Sequence, residues 1–255
     1  MGARDTLVQF VGITLLGWLA ILLWRRNIRR EFPFFFLFVV TSIVITIARM
    51  GAVGNYLWYF RIFWGTEAIY AVLSLVVLHE AFHSVFLMDY EGWPWFRLVF
   101  PSAVALLCII FVGHAVLHPP IEATLIIAVI ISFEKVVNCV KGGLFVLFTV
   151  LAFLLLGKSW PTYPFGVVVG FAVSALGAGT AYWVRSVFGT HFNLLGKYAP
   201  PVAYILAVLI WILSCFLPSE PESRRTGGMK PEEALATIKG YIQALKGHRE
   251  KMIDD

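Results

Sequence analysis

Charge is scarce in this sequence. Only 14% of its 255 residues are Asp, Glu, Lys or Arg, against about 25% in a soluble domain, so the chain has too few polar groups to cover a water-facing surface. Cysteine is scarce as well. Cys108, Cys139 and Cys215 each sit in an apolar run, and that placement and the odd count exclude the disulfide framework of a small secreted domain. The apolar runs are continuous and lack the short alternating segments of a β-barrel. A cleavable signal peptide is not indicated either, because the run 7–24 has no basic region before it and ends in Arg25, Arg26, Arg29 and Arg30 instead of small residues.

What is abundant is apolar surface: 60% of the residues are hydrophobic, and they cluster in runs long enough to span a hydrocarbon core of about 30 Å as helix, which takes roughly 20 residues. In lipid each backbone polar group must bond within its own segment, so helices are expected. The fold class read from the sequence is all-α, a polytopic membrane helix bundle with about seven transmembrane helices. The spans fall at 7–24, 33–48, 56–86, 98–115, 134–156, 164–184 and 199–217. The stretch 121–133 is too short to cross and reads as a helical extension or an interfacial piece. Trp24, Trp58, Trp64, Trp93, Trp95 and Trp160 fall at span ends, where interfacial anchors belong.

Three regions follow: a bundle over 1–217, a linker over 218–230 rich in Pro and Gly, and a cytoplasmic amphipathic helix over 231–255. Pro231, Glu232 and Glu233 make a helix start. Leu235, Ile238, Ile242, Leu245 and Met252 then form a short heptad-like seam that could pair two copies of the chain or dock on the bundle. Residues 218–255 hold seven acidic and seven basic groups, so the net charge of +5 belongs to the bundle. The partner it implies is an anionic lipid leaflet, and nothing points to nucleic acid. Four arginines in the first loop, with Arg224, Arg225 and Lys230 after the last span, place both regions on the cytoplasmic side and the amino terminus outside.

A charge in the centre of a span costs roughly 2.5–3.5 kcal/mol on the insertion scale, so each needs a partner or a wet cavity. Glu67 and Glu134 are the informative acids. With Arg61, Arg185, Trp64 and Tyr70 they suggest a polar, aromatic-rimmed pocket open to the outside, for which Trp58, Tyr59 and Phe63 are further lining candidates; the plainer account is interfacial ion pairing. Lys141 lies deeper in its span and is the least explained charge. The sixth span repeats Gly166, Gly170, Ser174 and Ala178 at four-residue intervals, a stripe against which another helix can pack closely, in this chain or in a second one.

The sharpest motif is His79-Glu80-Ala81-Phe82-His83. HExxH on a helix puts both imidazoles on one face, where they can share zinc, with Glu80 as base on a metal-bound water. No third ligand is evident, so a helix-end histidine pair is the preferred reading and an intramembrane zinc peptidase the alternative. His114, His118 and His191 read as solvated. A transporter is a further alternative, although seven spans do not divide into equal halves. A retinal protein would need a Schiff-base lysine in the seventh span, and 199–217 has none. No cofactor is expected.

Several stretches resemble a group of bacterial multi-pass membrane proteins without an assigned activity. The carrying residues are Trp64, Glu67 and His79 through Phe86, then Phe133, Glu134 and Lys135 through Gly143, then Gly166 through Ala203, Tyr204, Ile210 and Trp211. In that group the position of His79 is often tyrosine and that of His83 is not regularly histidine, while Glu80 is common. The resemblance implies an inner-membrane setting and favours the acids over the histidines. The functional expectation is a receptor-like sensor or small-ligand-binding protein.

Overall fold

The computed structural model describes residues 3–52, 54–87, 94–118, 125–156, 162–188, 193–217 and 236. The expected linker, and the tail helix apart from Ala236, therefore lie outside the described residues, as do His191, Trp93 and Trp160. Everything described is helix, turn or short connection, without strands among the described residues. The long helices are α1 (Ala3–Arg25), α3 (Pro33–Gly51), α4 (Tyr56–Phe82), α5 (Val99–Leu117), α6 (Leu125–Leu156), α7 (Tyr163–Phe188) and α8 (Asn193–Ser214); α2 (Ile28–Glu31) is a single turn. A π-turn, His83–Leu87, prolongs α4, and a 3₁₀ turn, Pro94–Leu98, leads into α5. Among the described residues six helices, α3 to α8, are long and apolar enough to cross a membrane. In α1 the described apolar stretch, Gln9–Arg25, is shorter.

Local signals set the boundaries. Asn27 turns the chain between α1 and α2 with φ of 58°, a left-handed conformation that Asn tolerates because its short polar side chain bonds locally. Pro33 stands at the first position of α3, where its missing N–H costs nothing. Asn55 caps α4 by accepting from the N–H groups of Leu57 and Trp58. Two boundaries differ from those expected: α3 continues past residue 48 and takes in Arg49, and α8 begins before 199 and takes in Lys197. Of the two readings of 121–133, the described part, 125–133, is the helical extension: α6 continues from it past Glu134 and runs unbroken through Gly142 and Gly143. In each case the intrahelical hydrogen bonds continue past a polar or prolyl residue that hydropathy alone treats as a stop.

The helices alternate in direction, so the bundle has two distinct ends. At the first, the basic turn after α1 meets the end of α8: the Arg26 guanidinium donates to the Cys215 carbonyl at 2.8 Å and lies over the Phe216 ring at 4.3 Å. A cation there also complements the negative end of the α8 dipole. The first loop and the end of the last helix thus share one face, as expected. Glu80 lies at this end too. Both of its carboxylate oxygens accept backbone N–H groups of the first turn of α3, from Phe34 at 3.0 Å and Phe35 at 2.9 Å.

The core is aromatic. Trp211 of α8 is fully buried and meets Phe35 and Phe38 of α3, Phe171 of α7 and Tyr204 of its own helix edge-on or tilted. Its indole N–H donates to the Val167 carbonyl at 3.0 Å. Such a bulky ring can lie against α7 only because residue 170 is glycine: a Cβ there would overlap the indole, and one on Gly166 would overlap Ser214. The upper part of the small-residue stripe therefore serves packing within the chain, α7 on α8. α5 is the opposite extreme: only Phe100 is buried in it, and it packs on the core through a half-buried face of Val99, Ala103, Val104, Leu107, Cys108 and Phe111.

Two substitutions separate close packing from helix propensity. Gly170→Leu should lower the thermal midpoint in detergent by the equivalent of about 2–3 kcal/mol, because overpacking displaces Trp211. Gly142→Ala, where a Cβ meets open space, should leave the midpoint unchanged or raise it slightly, by up to about 1 kcal/mol.

Candidate functional site

The second end of the bundle encloses a cavity of about 480 Å³. Its wall is assembled from helix faces that recur at three- and four-residue steps. α4 supplies Tyr59, Phe63, Glu67 and Tyr70; α6 supplies Glu134, Asn138 and Lys141; α7 supplies Phe171, Ser174, Ala178 and Tyr182. Gln9 and Gly12 of α1, Arg49 of α3 and Lys197, Pro200, Pro201 and Tyr204 of α8 close the ring, above a floor that includes Phe38 and Trp211. The stripe on α7 thus has two uses. Gly166 and Gly170 admit α8, whereas Ser174 and Ala178, being small, leave volume open. Pro200 and Pro201 within α8 bound that volume and remove two rungs of the helix ladder, since neither has an N–H.

Four charged side chains from three helices turn inward. Arg49 pairs with Glu67 at 2.8 Å, donates through Nε and a terminal nitrogen to the Thr66 hydroxyl, and lies over the Phe63 ring at 4.5 Å. Glu134 is nearly buried, at 8% exposure, and its carboxyl comes within hydrogen-bonding reach of Glu67. Asn138, one turn on, donates to the Glu134 backbone carbonyl at 2.8 Å. Lys141 lies two turns from Glu134 on the same face and in its electrostatic field. It forms neither hydrogen bond nor ion pair with a described residue.

Sequence reasoning found part of this. Glu67, Glu134, Tyr70, Tyr59 and Phe63 line one cavity, but Arg61, Trp64, Arg185 and the exposed Trp58 do not. Arg61 is exposed, and Trp64 packs on Phe60 and Phe63 beside the site. Arg49, Asn138, Tyr182, Tyr204 and Lys197 were not anticipated as lining. Lys197 also bears on the retinal argument, since it lies in the second turn of α8 at the exposed rim; from 199 onward that helix contains no lysine.

The HExxH segment sits at the other end. Glu80 lies thirteen residues beyond Glu67 in the sequence, a separation of about 20 Å along a helix. Its carboxylate is committed to the α3 amides, His79 is exposed with its ring 5.2 Å from that of Phe100, and His83 is exposed in the π-turn. Among the described residues no three His, Cys, Asp or Glu side chains gather as a metal site. The structure gives Glu80 a different occupation, the remote capping of α3. Comparison with protein families, curated proteins and solved structures finds no match to this chain.

Two measurements follow. Glu80→Ala should destabilise the protein by about 1–2 kcal/mol through the lost cap; an unchanged midpoint together with stoichiometric zinc in the wild type would restore the metal reading. In a double-mutant cycle Arg49→Leu and Glu67→Gln should each destabilise, and the pair together should cost less than their sum by about 1 kcal/mol or more, since either alone strands the other's charge.

Proposed function

We propose that the chain is a seven-helix sensor or binding protein that receives a small polar ligand in the cavity, from outside the cell. The observation that carries this reading is the inward convergence of Arg49, Glu67, Glu134 and Lys141. Each would be costly facing lipid, and charges needed only to be satisfied could sit at helix ends in the interface. Here they line a cavity whose volume lies within the common range for ligand pockets, about 300–1,000 Å³, among aromatic walls and a few polar groups.

Seven spans, not six, are favoured by the reach of α1. Its Gln9 and Gly12 border the cavity at one end of the bundle, while Arg26, just past its last turn, touches Cys215 at the other. At 23 residues it is about 35 Å long, enough for a bilayer core. The arginine-rich turn supports a cytoplasmic location for that end, with the amino terminus and the cavity mouth outside the plasma membrane. The tail, 231–255, follows α8 into the cytoplasm, where pairing with a second copy or docking on the bundle would pass on a signal.

Orientation and access are tested together with single cysteines in a chain freed of Cys108, Cys139 and Cys215. In intact cells Gly54→Cys should react with a membrane-impermeant maleimide, and Ser219→Cys only after lysis; the reverse pattern would invert the topology. Ala178→Cys should react with a small hydrophilic thiol reagent more slowly than Gly54→Cys. If it stays inert even in detergent, the cavity is closed to solutes and the ligand-site reading falls.

A further inference from the structure

We infer that the cavity takes a small zwitterion, an amine and a carboxylate on one carbon as in an α-amino acid, with the ammonium at the Glu67–Glu134 pair and the carboxylate on Lys141. This rests on the cavity being a ligand site, as proposed above.

The inference starts from Lys141. It is half-buried in the bundle and borders the cavity. Every other enclosed charge there has company: Arg49 holds Glu67, and Glu134 has Asn138 and Glu67 around it. Lys141 has no partner among the described residues within ion-pair distance, and an ammonium held out of bulk water needs an anion or acceptors. Its side chain leans toward the amino-terminal end of α6, hence toward Glu134, as helical side chains do. Glu134 and Lys141 are separated by a rise of about 10 Å, which the lysine stem shortens. An acid and a base of opposite sign therefore face each other across a gap of small-molecule size.

Charge balance selects what can fill that gap. An ammonium between Glu67 and Glu134 takes the place of any proton the two carboxyls share, so with a cation bound the enclosed groups comprise two ionised acids, Glu67 and Glu134, and two bases, Arg49 and Lys141; the fifth charged residue of the wall, Lys197, is exposed at the rim. A ligand of net charge would leave the enclosed set unbalanced in a medium that screens poorly. A lone amine would satisfy the acids and leave Lys141 without an anion, and a lone acid would do the converse. A zwitterion adds no net charge and supplies each pole with its opposite. Phe38, Phe171 and Trp211 on the floor and walls offer an apolar seat for its side chain.

The test uses the full chain purified in detergent, with L-phenylalanine, L-leucine and glycine betaine as probes beside phenethylamine and 3-phenylpropionate, which are phenylalanine lacking one charge each. At least one zwitterion should bind saturably in equilibrium dialysis and raise the melting temperature. The two truncated analogues should bind at least about tenfold more weakly than phenylalanine, the loss expected for a missing charge-assisted hydrogen bond. Lys141→Met should weaken zwitterion binding by a similar factor and leave phenethylamine binding unchanged, while Lys141→Arg retains most of the affinity. Should Lys141→Met fail to fold, the analogue series on the wild type decides alone. Phenethylamine or 3-phenylpropionate binding as tightly as phenylalanine would overturn the zwitterion but leave the ligand site standing. Saturable binding by none of the five would also overturn it, and the accessibility of Ala178→Cys then shows whether the ligand site falls as well.

Discussion

Hydrocarbon supplies neither hydrogen bonds nor counter-charges, so every polar group that enters it must find its partner inside the protein. In this bundle that requirement is met most visibly on the α3–α4 hairpin. The Glu67 carboxylate of α4 holds Arg49 in the last turn of α3, and the Glu80 carboxylate of the same helix holds the amides of Phe34 and Phe35 in the first turn. Both contacts suit the α3 dipole, a cation at its negative end and an anion at its positive end. Two carboxylates thirteen residues apart thus fix the register of two antiparallel helices at both ends, and the cavity wall inherits its geometry from that register.

The opposite wall is positioned by volume instead of charge. Gly166 and Gly170 bring α8 against α7, and the buried Trp211 fills the space between them and α3. Farther along, Ser174 and Ala178 continue the same stripe and line the cavity together with Pro200 and Pro201, while beside it Gly177 keeps α7 close to Ala203 of α8. One run of small side chains therefore makes a tight contact at one end and a cavity at the other. The difference lies in α8, which presents an indole in the first case and two prolines in the second.

The helices were legible because hydropathy and length are properties of single segments. Glu67 and Glu134 were legible too, since an acid within an apolar run is costly wherever it points. The direction in which a residue points was harder to read. Arg61 lies six residues before Glu67, about 120° around the helix from it, whereas Tyr59, Phe63 and Tyr70 fall on one side within about 80°; counting turns would have separated them. Arg49 was missed for another reason. A basic residue at the end of an apolar run reads as the boundary of the span, and only the position of Thr66 and Glu67 on the next helix shows that it turns inward. The pairing of Glu80 with the start of α3 is likewise a relation between two segments, and the HExxH spelling drew attention to the histidines instead.

Charge placement also explains why the polar cavity forms at one end only. At the arginine-rich end two cations are held by the chain itself, Arg26 by a helix-terminal carbonyl and Arg29 by the face of the Trp24 ring at 3.4 Å. At the other end Arg49, Glu67, Glu134 and Lys141 come from three helices that cannot all bring their charges into direct contact without closing the space between them. α3 and α4 achieve contact because the Glu80 clasp sets their register. Glu134 and Lys141 lie on a single helix, two turns apart, and no motion of that rigid element brings them together. Helix geometry thus fixes their backbones about 10 Å apart, and the cavity lies along the face that carries both.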